Sequence, residues 1–424
     1  MNKIVLFLLM TVIAARPLHA AALLTLDEAL AAARENHPQV AEARENLNGA
    51  EARTGLALAG YYPQLSIAAD WNRGRTFIAA QESIRTTEMS SAALYLKQTL
   101  YDFGRTAGAA SAARSSRDAA DLALVVTKQD LDLRVKNAFY LLLAAERQVV
   151  AVAGTVKART EVFRQAQEFY NRGIRAKVDA AKAEANLFAA KTALIRAENN
   201  REIARLELAG AMGTASLGDR TPAEPSLVKL PIPERSKALQ DALRSRAELQ
   251  QMAALESAAS AALSSAKSSY LPILSGTANV GYADRDVPPT GNIWGVGLNL
   301  SVPLFSGFSS GEQVREATAA VNAIEARLAN LRLQIGKEVE SAWLGVSEAA
   351  ARMGSTEKEV AAAGETTALA EGRYQEGVGS IIEVSDAQAG ALDAETANIQ
   401  ARYDYHTALA RLDRAVGTRS EAKE

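Results

Sequence analysis

This sequence has no cysteine, only three histidines and a net charge close to zero. Cysteine is absent, which excludes disulfide bonds, thiolate metal sites and thiol catalysis. The three histidines, His19, His37 and His406, are scattered, and none has a neighbour at metal-ligand spacing. We interpret His37, which precedes Pro38, as a residue of a helix surface. We therefore expect no enzyme activity, no cofactor and no metal. The net charge of −2 provides no basic surface, so nucleic acid is not expected as a partner.

Aromatic residues are also few. They make up 5% of the chain, whereas alanine occurs in runs throughout. Alanine favours helices and lets them approach closely. The composition therefore suits long helix seams better than thick globular cores.

Uninterrupted apolar runs long enough to span a membrane are missing as well. Residues 1–20 carry a positive charge at Lys3, an apolar stretch from Ile4 to Ala15 and small residues at the end, which predicts a cleaved signal peptide. About 12 apolar residues cannot span a hydrocarbon core that needs roughly 20. We expect no later segment to be long and apolar enough for a transmembrane helix. The chain is thus predicted to leave the cytoplasm without a helical membrane anchor.

The second half of the chain repeats the first. The motif that begins at Tyr170 and ends at Gly173 returns 204 positions later, from Tyr374 to Gly377. A period near 200 is too long for a solenoid, so the repeat indicates a pseudo-symmetric molecule built from two units. We predict a first repeat at 21–213, a linker in an equatorial region at 214–235, a second repeat at 236–417 and a C-terminal tail at 418–424.

Each repeat contains a predicted pair of strands, at about 64–100 and about 273–303. Apolar residues alternate with small or polar ones, and a polar loop is predicted between the first two strands, from Arg73 to Glu88. Strands of about 10 residues with one apolar face are typical of an outer-membrane barrel, although a half-buried sheet in a soluble domain has the same alternation. Trp71 and Trp294 lie on strands, where we interpret them as membrane-interface aromatics. Four strands cannot close a barrel, so several chains would have to share one.

A long helix is predicted after each strand pair, from about Arg105 to Tyr170 in the first repeat. A strict heptad repeat of apolar residues imposes left-handed supercoiling, and some 65 residues make a rod of about 100 Å. The stripe consists of Val135, Leu142, Val149, Val156, Phe163 and Tyr170, and its second copy of Val339, Val346, Met353, Val360, Thr367 and Tyr374.

Each rod is predicted to turn at glycine and to return as a shorter helix, over Val178–Gly213 and Ile382–Gly417. The returning helices are about half as long as the rods. The remaining length must come from the helices that precede the strands, stacked end to end with the returning helices. These are Thr25–Gly60, which opens with a capping box formed by Thr25 and Glu28, and Ser236–Tyr270.

This ordered set of features resembles the TolC family of outer-membrane efflux and secretion channels, over essentially the whole chain up to Gly417. The stretch from Arg373 to Asp386 resembles the family's periplasmic tip, where a Tyr-x-x-Gly turn is followed six residues after the glycine by a carboxylate. The first repeat has the same spacing, from Gly173 to Asp179.

The resemblance implies a mainly α fold with a small β part. Long coiled-coil helical hairpins would form an α-barrel, and four strands per chain would contribute to the 12-stranded transmembrane β-barrel of a homotrimer. The chain would lie in the outer membrane of a Gram-negative bacterium, in contact with its lipid, and extend into the periplasm. It would serve a tripartite efflux or type I secretion system. The implied partners are a periplasmic adaptor (membrane fusion) protein, docked at tips around Gly173, Gly377 and Ser380, and an inner-membrane pump of RND or ABC type.

The resemblance also places Glu383 and Asp386 at the periplasmic constriction. Threefold symmetry would turn each into a ring of three carboxylates, which favours cations. The first repeat has Lys182 where the second has Asp386, so this filter belongs to the second half alone.

A tip latch is implied between the hairpins, with Tyr374 and Asp179 as candidates for one hydrogen bond. The sequence departs from the family pattern at Gly379, where some relatives carry an arginine. Arg175 and Lys177 are candidates to replace that missing link. The alternative to a channel is a soluble periplasmic coiled-coil scaffold without transport activity.

Overall fold

A computed structural model describes residues 23–78, 82–224 and 233–417. The predicted signal peptide and the C-terminal tail lie outside the described residues. The helices and strands in chain order are β1 (Leu23–Leu24), α1 (Leu26–Asn36), α2 (Pro38–Leu58), β2 (Gln64–Ile78), β3 (Ser83–Tyr101), α3 (Arg105–Asn171), α4 (Lys177–Ala211), β4 (Thr221–Pro222), α5 (Arg235–Ser245), α6 (Ala247–Lys267), β5 (Ile273–Asp284), β6 (Asn292–Ser301), α7 (Ser309–Gln375) and α8 (Ile381–Val416).

The predicted fold class is confirmed: long helices dominate, and β2, β3, β5 and β6 form one small sheet. Helices α3 and α7 each have 67 residues, whereas α4 has 35 and α8 has 36. The returning helices are therefore about half as long as the rods, as predicted. Heptad positions such as Val135, Leu142, Val339 and Val346 are almost fully buried, which confirms the seam over this part of the stripe, whereas Tyr170 at its end is exposed.

The chain divides into two compact units, each built from segments of both sequence repeats. The unit that we name the sheet unit contains the described residues of 37–133, 231–351 and 408–417. The other, named the tip unit, contains those of 23–36, 134–224 and 352–407. The strand pair β1–β4, parallel and two residues long, belongs to the tip unit.

The predicted helices before the strands are each interrupted, so the expectation of two continuous helices was wrong. The capping box at Thr25 is confirmed by both of its hydrogen bonds, but the first helix stops before His37. Pro38 lacks an N–H group, and His37 caps the next helix by accepting a hydrogen bond from the Gln39 N–H at Nδ1, 3.1 Å away. His37 is buried rather than a residue of the helix surface, contrary to the prediction.

The interruption in the second repeat lies at Arg246, where no proline marks it. Here the end of α8 meets the start of α6 within the sheet unit. The hydroxyl of Ser245 donates to the Val416 carbonyl at 2.8 Å, and Nη1 of Arg246 donates to the Ala415 carbonyl at 3.1 Å. The end-to-end stacking predicted for this repeat is therefore confirmed.

The sheet has the order β2-β3-β5-β6, and every neighbouring pair is antiparallel. The pairing places the apolar residues of all four strands on one face. Leu94, for example, lies opposite Ile67 and Val280, and Val280 lies opposite Trp294. This apolar face is open to solvent in the single chain: Ile67 is 79% exposed and Val296 is 80% exposed. The other face carries mostly small or polar residues: Ser66, Ala68, Asp70, Ser91, Ala93, Thr277, Asn279, Gly281, Gly295, Gly297 and Asn299.

The polar loop predicted from Arg73 to Glu88 is wrong. Instead, β2 continues to Ile78 and β3 begins at Ser83, and the two strands remain in register throughout. Polar residues fit here because cross-strand contacts satisfy them: Nε1 of Trp71 donates to a Glu88 carboxylate oxygen at 3.0 Å.

Aromatic side chains lie at both ends of the apolar face. Trp71 and Trp294 are exposed toward the hairpin end, and Tyr62, Tyr101 and Phe305 are exposed toward the helices. Two aromatic belts around an apolar band are typical of a protein that crosses a membrane as strands.

One described helix, α3, contains a stretch long and apolar enough to cross a membrane by length and composition alone. The expectation of no such segment was therefore wrong. The stretch is apolar because α3 carries the heptad stripe, and a helix buried in a coiled coil meets the same criteria.

Candidate functional site at the hairpin tips

The two hairpin turns of the tip unit are built alike. Gly173 and Gly377 adopt positive φ angles of 73° and 77°, a conformation that glycine adopts without steric cost. In each turn the glycine N–H donates to the carbonyl three residues earlier. The N–H of the next residue donates to the carbonyl five residues earlier, from Ile174 to Phe169 at 2.9 Å and from Val378 to Arg373 at 3.0 Å. This is the hydrogen-bond pattern of a glycine-terminated helix end. The predicted turn positions are confirmed.

The two tip tyrosines occupy equivalent sequence positions but different environments. Tyr374 has no exposed surface and packs in an apolar cluster, with its ring centre 5.9 Å from that of Phe169. Tyr170 is 39% exposed. The buried members of the cluster are Ala166, Ala180, Ala183, Ala370, Tyr374, Ile381 and Val384. Of the two tyrosines, Tyr374 is therefore the one that packs between the hairpins.

Arg175 links the first hairpin to the turn of the second. Its Nη2 donates to the carbonyl oxygens of Gly377 and Gly379, each at 2.8 Å. Its guanidinium carbon lies 5.7 Å from the centre of the Tyr374 ring, within reach of a cation–π interaction. Both carbonyls lie in the turn between the end of α7 at Gln375 and the start of α8 at Ile381.

Gly379 occupies the position in the second repeat that Arg175 occupies in the first. A Cβ atom at Gly379 would lie 2.9 Å from the backbone nitrogen of Tyr374, so no side chain fits without a backbone shift. Arg175 of the first repeat thus contacts the turn of the second repeat, in which a glycine stands at the position equivalent to Arg175. Lys177, the other predicted replacement, is exposed at the start of α4 and makes no hydrogen bond to the second hairpin among the described residues.

The hydrogen bond predicted between Tyr374 and Asp179 is not formed. The Tyr374 hydroxyl is buried and has no hydrogen-bond partner in the part of the chain that the structure describes. Burial raises the pKa of Tyr374, and the nearby charge of Asp179 raises it further, while Arg175 acts in the opposite direction. The two side chains are therefore neighbours, but the cluster that buries the ring holds its hydroxyl out of hydrogen-bonding reach.

Glu383 and Asp386 both lie exposed on α8 and line a groove of about 800 Å³ between α7 and α8. They are not equivalent, because Arg373 Nε lies 3.4 Å from a Glu383 carboxylate oxygen. Asp386 has no such cationic partner among the residues described. Ser380 caps α8, since its hydroxyl accepts a hydrogen bond from the Glu383 N–H at 3.2 Å.

Sequence reasoning missed a set of exposed apolar side chains at the tips. Ile174 is 58% exposed and Val378 is 70% exposed, and each directly follows a turn glycine. Val178 and Ile382, one turn further on, are exposed in the same way. Their recurrence at the 204-residue offset was a signal that could have found them.

Comparison with known proteins gives a consistent result over most of the chain. Residues 29–214 and 238–418 match the family model of the outer membrane efflux protein. The chain is 25% identical to the outer membrane protein TolC of Vibrio cholerae, over 92% of this chain and 90% of that protein. It is 27% identical to protein CyaE of Bordetella pertussis, over 89% of this chain and 80% of that protein. The crystal structure of the Campylobacter jejuni CmeC outer membrane channel is similar in fold, with a TM-score of 0.83 at 18% identity, over 92% of this chain and 85% of that one.

Proposed function

Because the chain belongs to the outer membrane efflux protein family, we propose that three copies of this outer-membrane channel close one 12-stranded barrel and one helical tunnel, with the gate at the hairpin tips. The observation that supports this assembly is the sheet. Its four strands expose a continuous apolar face bounded by aromatic residues, and four strands are too few to close a barrel alone.

The assembly is tested by fractionation and conductance. The protein should be recovered in the outer membrane as a trimer, and the purified trimer should produce single-channel currents in planar bilayers. Recovery in the soluble periplasm would instead support the alternative, a coiled-coil scaffold without transport.

The gate is closed by a link between the hairpins in this proposal. Arg175 is its main element, because it bonds two carbonyls of the other hairpin and lies over the Tyr374 ring. Asp179 acts only through its charge near the Tyr374 hydroxyl. Lys177 is exposed and makes no hydrogen bond to the second hairpin among the described residues, so it takes no part in the link. Opening separates Arg175 from the Gly377 and Gly379 carbonyls, which water then solvates.

Selectivity comes from rings of Glu383 and Asp386 at the constriction. Because Arg373 partly neutralises Glu383, Asp386 is the stronger contributor. Asp386→Asn should therefore lower the cation preference, measured as the reversal potential in a salt gradient, more than Glu383→Gln does. Equal reversal potentials for both variants and the native protein would show that these carboxylates do not determine ion selectivity.

The tips also dock the periplasmic adaptor, which connects the channel to an inner-membrane pump of RND or ABC type. The exposed apolar residues Ile174 and Val378, beside Gly173, Gly377 and Ser380, provide the contact surface. Since the chain has no cysteine, Val378→Cys introduces a unique thiol for cross-linking. Attachment of an adaptor at this thiol, but not at a cysteine placed at Arg315 in the sheet unit, is the expected result.

The channel has no catalytic step of its own in this proposal, and transport energy comes from the pump. Purified trimer should therefore hydrolyse no nucleotide, peptide or ester substrate.

A further inference from the structure

The hairpin of β2 and β3 projects beyond the rest of the sheet. The pairing of β3 with β5 ends at Ser90 and Asp284, whereas β2 and β3 stay paired with each other to Ile78 and Ser83. Residues 72–78 and 83–89 thus form a two-stranded ribbon. The helices α2 and α3 join the sheet at its opposite end, and in an outer-membrane channel of this family the helices lie on the periplasmic side. The ribbon therefore lies at the outer surface of the membrane.

The outward face of this ribbon changes from apolar to cationic immediately past Trp71. Successive residues on a strand alternate between faces, so Arg73 and Arg75 lie on the same face as Trp71 and Ile67. That face meets the acyl chains at Ile67 and the interface at Trp71. The next two outward residues are then arginines, at the level where lipid headgroups begin.

The two arginines differ in their availability to bind an anion. Nε of Arg73 lies 3.9 Å from a Glu88 carboxylate, and the Arg73 side chain is 62% exposed. Glu88 is already engaged by the Trp71 indole. Arg75 is exposed and makes no ion pair with the described residues. Beyond them lies an apolar pair, Phe77 opposite Ile84, both about 60% exposed.

We propose that this ribbon binds a phosphorylated glycolipid of the outer leaflet, with Arg73 and Arg75 on its phosphates and Phe77 against its sugars. The supporting observations are the continuity of the ribbon with the lipid-facing sheet and the charge complementarity of paired arginines with phosphate. Arginine binds phosphate through a planar fork, which suits a fixed headgroup position. An aromatic ring beyond the cations suits a sugar better than the short headgroup of a phospholipid.

The test is native mass spectrometry of the detergent-solubilised trimer with a bis-phosphorylated glucosamine disaccharide lipid. Each arginine near an anionic lipid surface contributes about fivefold to affinity. Arg73→Gln with Arg75→Gln should therefore weaken binding at least tenfold, and Arg75→Gln alone should weaken it more than Arg73→Gln alone. The matched control is Lys97→Gln, which removes a cation from the opposite face of β3 and should leave binding unchanged.

Three results would overturn the proposal. The first is a double variant whose affinity stays within twofold of the native protein while it remains a trimer in the same spectrum. The second is equally tight binding of phosphatidylglycerol, which would indicate a general anionic-lipid surface. The third is displacement of the glycolipid by millimolar inorganic phosphate, which would indicate a site for soluble anions. Weak binding of the dephosphorylated lipid to the native trimer would support the proposal.

Discussion

The link between the hairpins makes a quantitative prediction for Arg175→Gln. The guanidinium donates to two carbonyls at 2.8 Å and lies 5.7 Å from the Tyr374 ring. A hydrogen bond to a charged group contributes about 1.5–3 kcal/mol, and a cation–π contact contributes about 0.5–1 kcal/mol at an exposed site. Arg175 is only half-buried, so we take the lower values and count one hydrogen bond and the ring contact. The loss is then about 2 kcal/mol in each chain.

A loss of about 2 kcal/mol corresponds to roughly a 30-fold shift toward the open tip in each chain. We expect Arg175→Gln to raise the open probability and the mean conductance of single channels in planar bilayers. The open probability of Arg175→Lys should lie between those of Arg175→Gln and the native protein, because lysine keeps the charge but lacks the planar group over the ring. The matched control is Lys177→Gln, which removes a neighbouring cation that makes no link. Identical conductance for Arg175→Gln and Lys177→Gln would refute this reasoning.

Other substitutions separate packing, backbone and charge effects. Tyr374→Phe should leave conductance and thermal stability unchanged or slightly raise stability, because the hydroxyl it removes is buried without a partner; a large loss in thermal unfolding would contradict this. Gly379→Ala should open the tip much as Arg175→Gln does, since the new Cβ displaces the turn, and unaltered conductance would count against it. Arg246→Ala should destabilise the protein by about 1.5–3 kcal/mol in thermal or denaturant unfolding, because it removes charged hydrogen bonds from the half-buried Glu248 while Arg414 still pairs with that carboxylate. Burial alone would raise the pKa of Glu248, but hydrogen bonds from Arg246 and Arg414 outweigh it and lower that pKa. The Glu248 contribution is thus present above its unfolded pKa of about 4.3 and lost as pH falls below it; a native protein whose stability is flat down to pH 3 would contradict this.

The long helices could be predicted because their signals are local. The heptad stripe from Val135 and its copy from Val339 define the buried seams, and the turns at Gly173 and Gly377 need a positive φ that glycine favours. Both kinds of signal lie within a few residues of the feature that they predict.

The misses came from contacts between distant segments. The interruption at Arg246 occurs where α8 ends against α6, and no residue in the local sequence opposes a continuous helix. The ribbon beyond Trp71 was taken for a loop because its polar residues are satisfied only across the strand pair.

The tip link was the hardest part of the candidate site to foresee. Arg175 could be identified as a candidate, but its acceptors are the backbone carbonyls of Gly377 and Gly379, which leave no mark in the sequence. The different environments of Tyr170 and Tyr374 could not be read from the repeat either, because the two occupy equivalent sequence positions although only Tyr374 of the two is buried.

In the proposed gating, contact between the two hairpins of each chain keeps the channel closed. Asn186 and Ser385 lie on different hairpins with a 2.7 Å hydrogen bond between their side chains, and the chain has no native cysteine. In the Arg175→Gln background, cysteines at both positions can therefore be joined by a short thiol cross-linker. Single-channel conductance should return from the raised level to that of the native protein after cross-linking. Conductance that stays at the raised level after complete cross-linking would show that contact between the hairpins does not gate the channel.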